Sequence, residues 1–205
     1  MKKEIYVFDF DGTLTTCDTF IAFIRHVRGT WRCIRSLLLL APWLIQMKLG
    51  LYPNAKAKEK LFAYHFAGMP IEEFDSWCHS FAQCHSNLLR PLAVQALQEA
   101  SRRGIPIWIV SASMENWIRP FFLPFTQAEI HIVGTQPEVK TGTVTGRLFS
   151  ANCNGPEKVR RLAALLPHRE QYHITAFGDS PGDKELLAYA DVGHYKPFRE
   201  NVQQP

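Results

Sequence analysis

The chain has 205 residues, of which 46% are hydrophobic and 20% are charged, and its formal net charge is +4. This composition supplies enough apolar side chains for a folded core, which excludes a wholly disordered or fibrous protein. The small positive charge gives no reason to expect a nucleic-acid partner, and the length favours one domain, or one domain with a substantial insertion.

The two ends of the chain show the pattern of an α/β domain. Residues 5–8 form a short apolar run that ends at Asp9, which predicts a buried parallel strand. Beyond residue 90 the sequence predicts, in chain order, a helix over 92–103, strands over 105–110 and 129–133, a hairpin over 139–149, a helix over 156–166 and a strand over 173–177. Strands that alternate with helices favour a Rossmann-like, mainly parallel sheet.

The stretch between these parts is different, because residues 19–85 contain several helical patterns and no convincing alternating strand. We therefore predict an all-helical insertion directly after the first strand. On this basis residues 1–15 and 90–205 form an α/β core, and residues 16–89 form a helical cap.

The first half of the insertion is basic: residues 19–58 contain seven Lys or Arg and no Asp or Glu. Arg25, Arg28, Arg32 and Arg35 recur every three or four residues, which predicts one face of a helix, and an apolar run over 37–47 follows them. Two interpretations are open. One is a basic amphipathic surface that lies on a membrane, and the other is a cap whose apolar face packs internally, which is the commoner use of apolar stripes.

Cysteine usage and the amino-terminal residues predict a cytoplasmic protein. The five cysteines form an odd set without a pairing pattern, and a chain of this length needs no disulfide, so we expect free thiols. The first apolar run is interrupted by Asp9 and Asp11, unlike the apolar segment of a secretory signal, and no apolar run is long enough to span a bilayer. Peripheral contact with a membrane surface is the alternative that the basic insertion leaves open.

Pairs of aspartates follow two of the predicted strands. Asp9 and Asp11 lie in the sequence DFDGTLT after the first strand, and Asp179 and Asp183 lie in GDSPGD after the last one. Like charges this close usually persist because a cation or a reaction uses them. Several converging carboxylates are the ligands that Mg²⁺ prefers, and Mg²⁺ keeps coordination positions free for a phosphate.

Two further polar residues fit a phosphate site. Ser111 follows another predicted strand, and Lys158 lies in the first turn of the helix that begins at residue 156. Ligands of open α/β sheets bind at the carboxyl ends of the strands, where all these side chains are expected. A lysine would offset phosphate charge there, and a serine hydroxyl would donate a hydrogen bond to a phosphate oxygen.

In order and spacing, these residues match the four motifs of the haloacid dehalogenase superfamily of phosphohydrolases. The chain resembles the phosphoserine-phosphatase-like branch, in which a helical cap is inserted between the first and second motifs. The resemblance implies a Mg²⁺-dependent phosphomonoester hydrolase that works through an aspartyl-phosphate. It implies Asp9 as nucleophile, Asp11 as general acid and base, Ser111 and Lys158 as phosphoryl-binding groups, and Mg²⁺ held by Asp9, the backbone carbonyl of Asp11 and Asp179, with Asp183 in support.

The chain departs from the phosphoserine phosphatases at the residues that recognise the substrate. Asp18 stands where they have a Glu that binds the substrate amine, and Gly182 stands where they commonly have Asn. The cap arginine that binds the serine carboxylate has no clear counterpart, and lysine does not reproduce its bidentate contact. The substrate is therefore either a small soluble phosphate or a lipid phosphate such as phosphatidylglycerophosphate, on which similar helical-capped relatives act.

Two other functions are left open by the motifs. The aspartyl-phosphate of a phosphotransferase would pass to an acceptor alcohol instead of water, and nothing in the sequence separates transfer from hydrolysis. A non-catalytic phosphate-binding module is disfavoured, because a degenerate member would be expected to have lost a catalytic carboxylate.

Overall fold

A five-stranded parallel sheet lies at the centre of the protein, whose computed structural model describes residues 2–199. The strands are, in chain order, β1 (Lys3–Phe8), β2 (Ile107–Met114), β3 (Ile130–Thr135), β4 (Pro137–Lys140), β5 (Thr143–Leu148), β6 (Tyr172–Gly178) and β7 (Val192–Tyr195). Strands β4 and β5 form a separate antiparallel hairpin. The others form the sheet in the order β3–β2–β1–β6–β7, and every neighbouring pair is parallel.

The helices fall into two groups along the chain. Five of them lie within the predicted insertion, residues 16–89, namely α1 (Thr19–Arg28), α2 (Thr30–Leu39), α3 (Ala41–Lys48), α4 (Asn54–Phe66) and α5 (Ile71–Cys84). Those that follow are α6 (Pro91–Arg102), α7 (Glu115–Ile118), α8 (Pro156–Leu165) and α9 (Lys184–Tyr189). The predicted fold class, a Rossmann-like parallel sheet with an inserted all-helical segment, is confirmed.

The central strands β1, β2 and β6 of the sheet are covered on both faces, as their apolar runs require. Along β1 the side chains alternate between two apolar layers: Ile5 and Val7 pack with Leu162 of α8, whereas Phe8 packs in the layer that contains Leu97 of α6. Strand β1, the middle strand of the sheet, therefore contributes apolar side chains to both layers.

The apolar layer that contains Phe8 continues into the helical insertion. Phe23 of α1 contacts the ring of Phe66, and Phe20 stacks on Trp117 of α7 with ring centroids 5.8 Å apart. Helix α4 and strand β5 also pack together, although the hairpin belongs to the later part of the chain. Because the apolar packing is continuous, the division of the chain into a core and a cap at residues 16 and 89 stays a prediction.

The predicted single arginine face over residues 25–35 is wrong. Helix α1 ends at Gly29, whose φ of +79° breaks the helical path before α2 begins. Arg28 is also not a solvated cation. Its guanidinium donates to the backbone carbonyl of His65 and lies 5.8 Å from the centroid of the Phe66 ring.

The interpretation in which the apolar face of the cap packs internally is only partly right. Ile24 lies in the apolar core and Leu37 and Leu40 pack against it, but the other apolar residues of the run over 37–47 are not part of that core. Helix α3 has no buried residue, and α2 buries only Cys33 and Ser36. Leu38 and Ile45 remain 70% and 58% exposed. Within residues 2–199, no helix combines the length and the apolar character needed to cross a membrane.

Two elements near the carboxyl terminus were not predicted. Strand β7 has the sequence VGHY and is exposed along its length, so it lacks the apolar run by which the other strands were recognised. Helix α9 spans six residues, which is too short for a hydrophobic period to be read.

Candidate active site

Polar residues at or near the carboxyl ends of three neighbouring strands meet at one edge of the sheet. Asp9 follows β1, Ser111 lies near the end of β2, and Asp179 follows β6. Because β2, β1 and β6 are adjacent and parallel, their carboxyl ends lie side by side. All three residues line one pocket of about 380 Å³, a volume in the usual range for small-molecule sites.

Lys158 is the buried cation at the centre of this pocket. Gly155, with a φ of +58°, turns the chain into α8, and Lys158 lies in the first turn of that helix. The side chain is 2% exposed, and its Nζ lies 2.5 Å from Oδ1 of Asp9 and 2.6 Å from Oδ1 of Asp183. A buried ammonium group between two carboxylates has both of its charge partners in place.

Burial and this ion pairing shift the protonation equilibria in opposite directions. Burial raises the pKa of Asp9 to about 7, even though the neighbouring Lys158 works against the rise. Burial also opposes ionisation of Asp183, but Lys158 and hydrogen bonds from Ser180 outweigh it and hold the pKa of Asp183 below its ordinary value. Burial alone would lower the pKa of Lys158, yet the carboxylates of Asp9 and Asp183 raise it. The single charge of Lys158 therefore does not compensate for the burial of the Asp9 carboxylate.

Three carboxylates are arranged in a way that fits a divalent cation. One oxygen from each of Asp9, Asp179 and Asp183 lies within 4.8 Å of the others. Oxygen ligands suit Mg²⁺, and a divalent cation would offset the burial that raises the pKa of Asp9. Gly12 leaves the room for this arrangement, because a Cβ atom at its position would lie 2.5 Å from Oδ2 of Asp179.

Asp11 lies in the same pocket and is held by the first residue of α1 on one side and by strand β2 on the other. Its Oδ1 accepts hydrogen bonds from the backbone N–H of Thr19 at 2.8 Å and from the Thr19 hydroxyl at 2.5 Å, and its Oδ2 accepts one from the hydroxyl of Ser113. Burial, followed by the charge of Asp18, raises the pKa of Asp11. A carboxyl group with a raised pKa holds a proton more readily, which a general acid requires.

The two remaining predicted residues have hydrogen-bonding roles of their own. Asp18 caps α1 by accepting from the backbone N–H groups of Phe20 and Ile21, and it also lines the pocket. The hydroxyl of Ser111 is buried and accepts from the N–H of Ser113 at 3.1 Å. The structure thus brings six of the seven predicted site residues to the lining of one pocket, and the seventh, Asp183, is fully buried behind it against Lys158. The roles that the resemblance implies for them stay predictions.

Most of the chain matches a known family of hydrolases. The model of the haloacid dehalogenase-like hydrolases matches residues 6–188. The chain belongs to that family. The resemblance found in the sequence motifs, and with it the expectation of a hydrolase, is confirmed.

Individual relatives of this hydrolase share its length and fold. Protein CicA of Caulobacter vibrioides is 32% identical over 197 residues, which are 95% of this chain and 86% of that protein. A structure of a Bordetella pertussis protein of unknown function superposes with a TM-score of 0.80 at 20% identity, over 94% of this chain and 89% of that one. A phosphoserine phosphatase, in the form of a phospho-aspartyl intermediate analogue, superposes with a TM-score of 0.62 at 18% identity, over 94% and 86%.

Several residues of the hydrolase's pocket were not found from the sequence. Thr13 donates to Oδ2 of Asp9 at 3.2 Å, and Ser113 holds Asp11. Asn154 occupies the space where a Cβ atom at residue 182 would lie, so an amide is present beside Gly182 although the chain lacks an Asn there. Thr13 lies within the DFDGTLT motif, but its side chain was given no role there, and Ser113 and Asn154 belong to no motif. Only the fold brings them to the strand ends.

Lys58 is the cation that the insertion contributes to the pocket. It lies on α4, it is half-buried, and it lowers the pKa of Asp11 against the larger effect of burial. Arg90 also lines the pocket, but its Nε donates to the backbone carbonyls of Gly12 and Thr15 at 3.3 and 3.1 Å. Within residues 2–199, no arginine of the insertion lines this pocket.

Proposed function

We propose that this hydrolase is a Mg²⁺-dependent phosphomonoesterase that works through a phosphoryl group carried on Asp9. The observation that carries the proposal is the buried ion pair of Lys158 with Asp9, beside the Asp179 and Asp183 carboxylates. An anionic nucleophile that attacks an anionic phosphate needs positive charge fixed around the reacting atoms. Asp9, Asp179 and Asp183 would hold the metal with the backbone carbonyl of Asp11, and the bound ion would supply that charge.

The reaction has two halves, formation and hydrolysis of the phosphoryl group on Asp9, and residues of this chain carry the phosphoryl group and the protons in both. A carboxylate oxygen of Asp9 forms a bond to phosphorus while the bond from phosphorus to the leaving alcohol breaks, and Asp11 gives its proton to that alcohol. In the second half, Asp11 takes a proton from a water molecule whose oxygen bonds to phosphorus, and the bond to Asp9 breaks. Inorganic phosphate is released and Asp9 is regenerated. Lys158 and the hydroxyl of Ser111 bind phosphoryl oxygens throughout.

The substrate that we propose is a lipid phosphate, whose head group alone enters the pocket. The pocket volume of about 380 Å³ suits a head group, whereas the apolar slot beside it, between Phe20 and Trp117, is closed by side chains and offers no space for an acyl chain. The acyl chains would stay outside the protein. Phosphoserine, on which some structural neighbours act by their names, is disfavoured because the insertion supplies Lys58 and no arginine to bind its carboxylate.

The chemistry is tested with the Asp9→Asn variant and an aryl phosphate, which any phosphomonoesterase of this type should hydrolyse. We expect turnover to vanish in Asp9→Asn and to persist in Glu72→Gln, a control that removes an exposed carboxylate of α5. Chelation of Mg²⁺ by EDTA should also stop turnover. Full activity in Asp9→Asn, or activity that ignores EDTA, would overturn the mechanism.

The substrate and the acceptor are tested by product analysis. Lipid phosphates, phosphoserine and sugar phosphates are compared at equal concentration, and inorganic phosphate is measured with and without added glycerol. We expect the highest turnover with a lipid phosphate and stoichiometric release of inorganic phosphate. A preference for phosphoserine would refute the lipid substrate, and glycerol phosphate as the main product would make the protein a phosphotransferase.

A further inference from the structure

Exposed apolar side chains are concentrated on one part of the helical insertion. Among residues 2–199, eight of the sixteen large apolar side chains that are exposed lie between residues 31 and 51. They include Trp31, Leu51, Leu38 and Leu49, which are 83%, 74%, 70% and 67% exposed. We call the exposed apolar side chains of residues 31–51 the α2–α3 face. Single exposed apolar residues are ordinary on a protein surface, but a concentration of this kind marks a contact surface.

The inner side of α2 shows why the α2–α3 face points away from the protein. Cys33 and Ser36 are the buried residues of α2, and the Ser36 hydroxyl lies 2.8 Å from Nε2 of the buried His65 on α4. Trp31, Ile34 and Leu38 recur at intervals of three and four residues on a different side of the helix and remain exposed. The polar contact to α4 therefore fixes α2 with its bulky apolar side chains outward.

The charge around this face is of one sign. Residues 19–58 contain no Asp or Glu, and Arg25, Arg32, Arg35, Lys48 and Lys56 are all exposed. Trp43 of α3 contacts Lys60, whose Nζ lies 4.8 Å from the centre of its ring. Exposed leucines, tryptophans and cations on short surface helices are the combination that an anionic bilayer surface binds, because apolar groups enter the acyl boundary while cations stay among the head groups.

We infer that the α2–α3 face docks the protein on the surface of an anionic bilayer. In the docked state, α2 and α3 lie in the interface, with their exposed apolar side chains toward the acyl chains and Arg32 and Lys48 among anionic head groups. Apolar contact and charge attraction both contribute, so binding depends on lipid charge and on salt. The inference goes beyond the proposed function and does not depend on it, since docking requires no turnover.

Vesicle sedimentation of the full chain tests the docking. Vesicles of phosphatidylcholine alone are compared with vesicles that also contain phosphatidylglycerol, and salt is raised from about 0.1 M to about 1 M, which shortens the screening length from about 10 Å to about 3 Å. We expect binding to the anionic vesicles, weaker binding to the neutral ones, and a loss of binding at high salt. No sedimentation with anionic vesicles at low salt would overturn the inference.

Surface variants separate the α2–α3 face from nonspecific attraction. The triple variant Trp31→Ser, Leu38→Ser and Leu51→Ser should weaken binding at least about 100-fold, because three apolar anchors are lost. Phe149→Ser, which removes a 74% exposed ring from outside the insertion, is the matched control and should bind like the unmodified protein. Equal binding by the triple variant, or an equal loss in Phe149→Ser, would overturn the assignment of the face.

The charge contribution has its own variant pair. Arg32→Gln and Lys48→Gln should each weaken binding to anionic vesicles about fivefold, which corresponds to about 1 kcal/mol for each cation near a charged surface. Arg102→Gln, an exposed arginine at the end of α6, should not change it. If Arg102→Gln weakened binding as much as Arg32→Gln, the attraction would belong to the net charge of the protein and not to this face.

Two further measurements keep the outcomes distinct. Hydrolysis of a soluble aryl phosphate should be unchanged in the triple variant, which shows that it is folded and separates a failure of docking from a failure of the proposed function. Analytical ultracentrifugation without lipid should give one species in both proteins. A dimer that the triple variant abolishes, together with absent vesicle binding, would identify a second copy of the chain as the occupant and refute the bilayer.

Discussion

Replacing Lys158 with methionine tests the central ion pair of the pocket. The variant keeps most of the side-chain volume but leaves Asp9 and Asp183 without the cation that lies 2.5 and 2.6 Å from them. Removal of one partner from a buried ion pair costs about 3–5 kcal/mol of unfolding free energy. For a chain of this size, about 1 kcal/mol lowers Tm by roughly 2–4 °C, so we expect Tm to fall by about 6–20 °C.

The same variant should lose turnover, since Lys158 is proposed to bind the transferred phosphoryl group. Loss of one such charged contact lowers kcat by about 100- to 1,000-fold. Lys184→Met is the control, because this exposed lysine follows Asp183 directly in the chain. Thermal denaturation and aryl phosphate turnover are measured on both variants.

The pH dependence of the stability of Lys158→Met distinguishes loss of charge from loss of packing. Without the cation, the folded-state pKa of Asp9 rises further above its unfolded value and the pKa of Asp183 is no longer held down, so the folded variant binds protons more readily than the folded unmodified protein. The stability deficit of the variant should therefore shrink as the pH is lowered to about 5. A deficit that is independent of pH, or a Tm and turnover like those of Lys184→Met, would refute the reasoning.

Two other positions give predictions of the same kind. Gly12→Ala forces a Cβ atom to within 2.5 Å of Oδ2 of Asp179 at a φ of +78°. We expect it to lower the apparent Mg²⁺ affinity in turnover assays about 10- to 100-fold. Gly68→Ala is the control: its φ is +83° and the space around it is open, so it should show only a stability loss of about 1–2 kcal/mol. Burial lowers the pKa of His65 to about 4 from its ordinary 6.5, so the unfolded protein binds the extra proton and stability should fall by about 2 kcal/mol between pH 7.5 and 5 in urea unfolding. In His65→Gln this pH-dependent loss should disappear, and an unchanged loss there would assign it to other groups.

The convergence of the candidate site residues could be predicted from the sequence, because Asp9 and Asp179 follow strands. Asp9 and Asp179 each come directly after an apolar run, and parallel strands end at one edge of the sheet, so local pattern and topology together bring them into one place. Thr19, Ser113 and Asn154 belong to no such pattern. Their contacts with the pocket depend on the packing of the insertion and of the loop before α8, which no local spacing encodes.

The helical insertion was predicted less accurately, and the reason lies in one glycine. The arginine spacing over 25–35 is that of a continuous helix, but Gly29 ends α1 and begins α2, so the spacing does not correspond to one face. A glycine after a basic last turn is a recognised helix stop, and Gly29 stands in that position after Arg25 and Arg28. The break turns Arg28 inward to the His65 carbonyl and leaves the bulky apolar side chains of α2 outside.

The contacts of Asp11 connect the position of the insertion with the chemistry. The hydroxyl and N–H of Thr19, the first residue of α1, hold one carboxylate oxygen of Asp11, and Trp117 donates to the same hydroxyl at 3.2 Å. The two segments that connect the insertion to the rest of the chain are joined to each other, since the N–H of Thr16 donates to the carbonyl of Leu88 at 2.9 Å. A displacement of α1 from the sheet would break the hydrogen bonds between Thr19 and Oδ1 of Asp11, whereas the hydrogen bond from Ser113 of β2 to Oδ2 and the pairing of Thr16 with Leu88 would stay. Such an opening would free one carboxylate oxygen of Asp11 while the sheet still holds the other, which links the proposed proton donor to the position of the insertion.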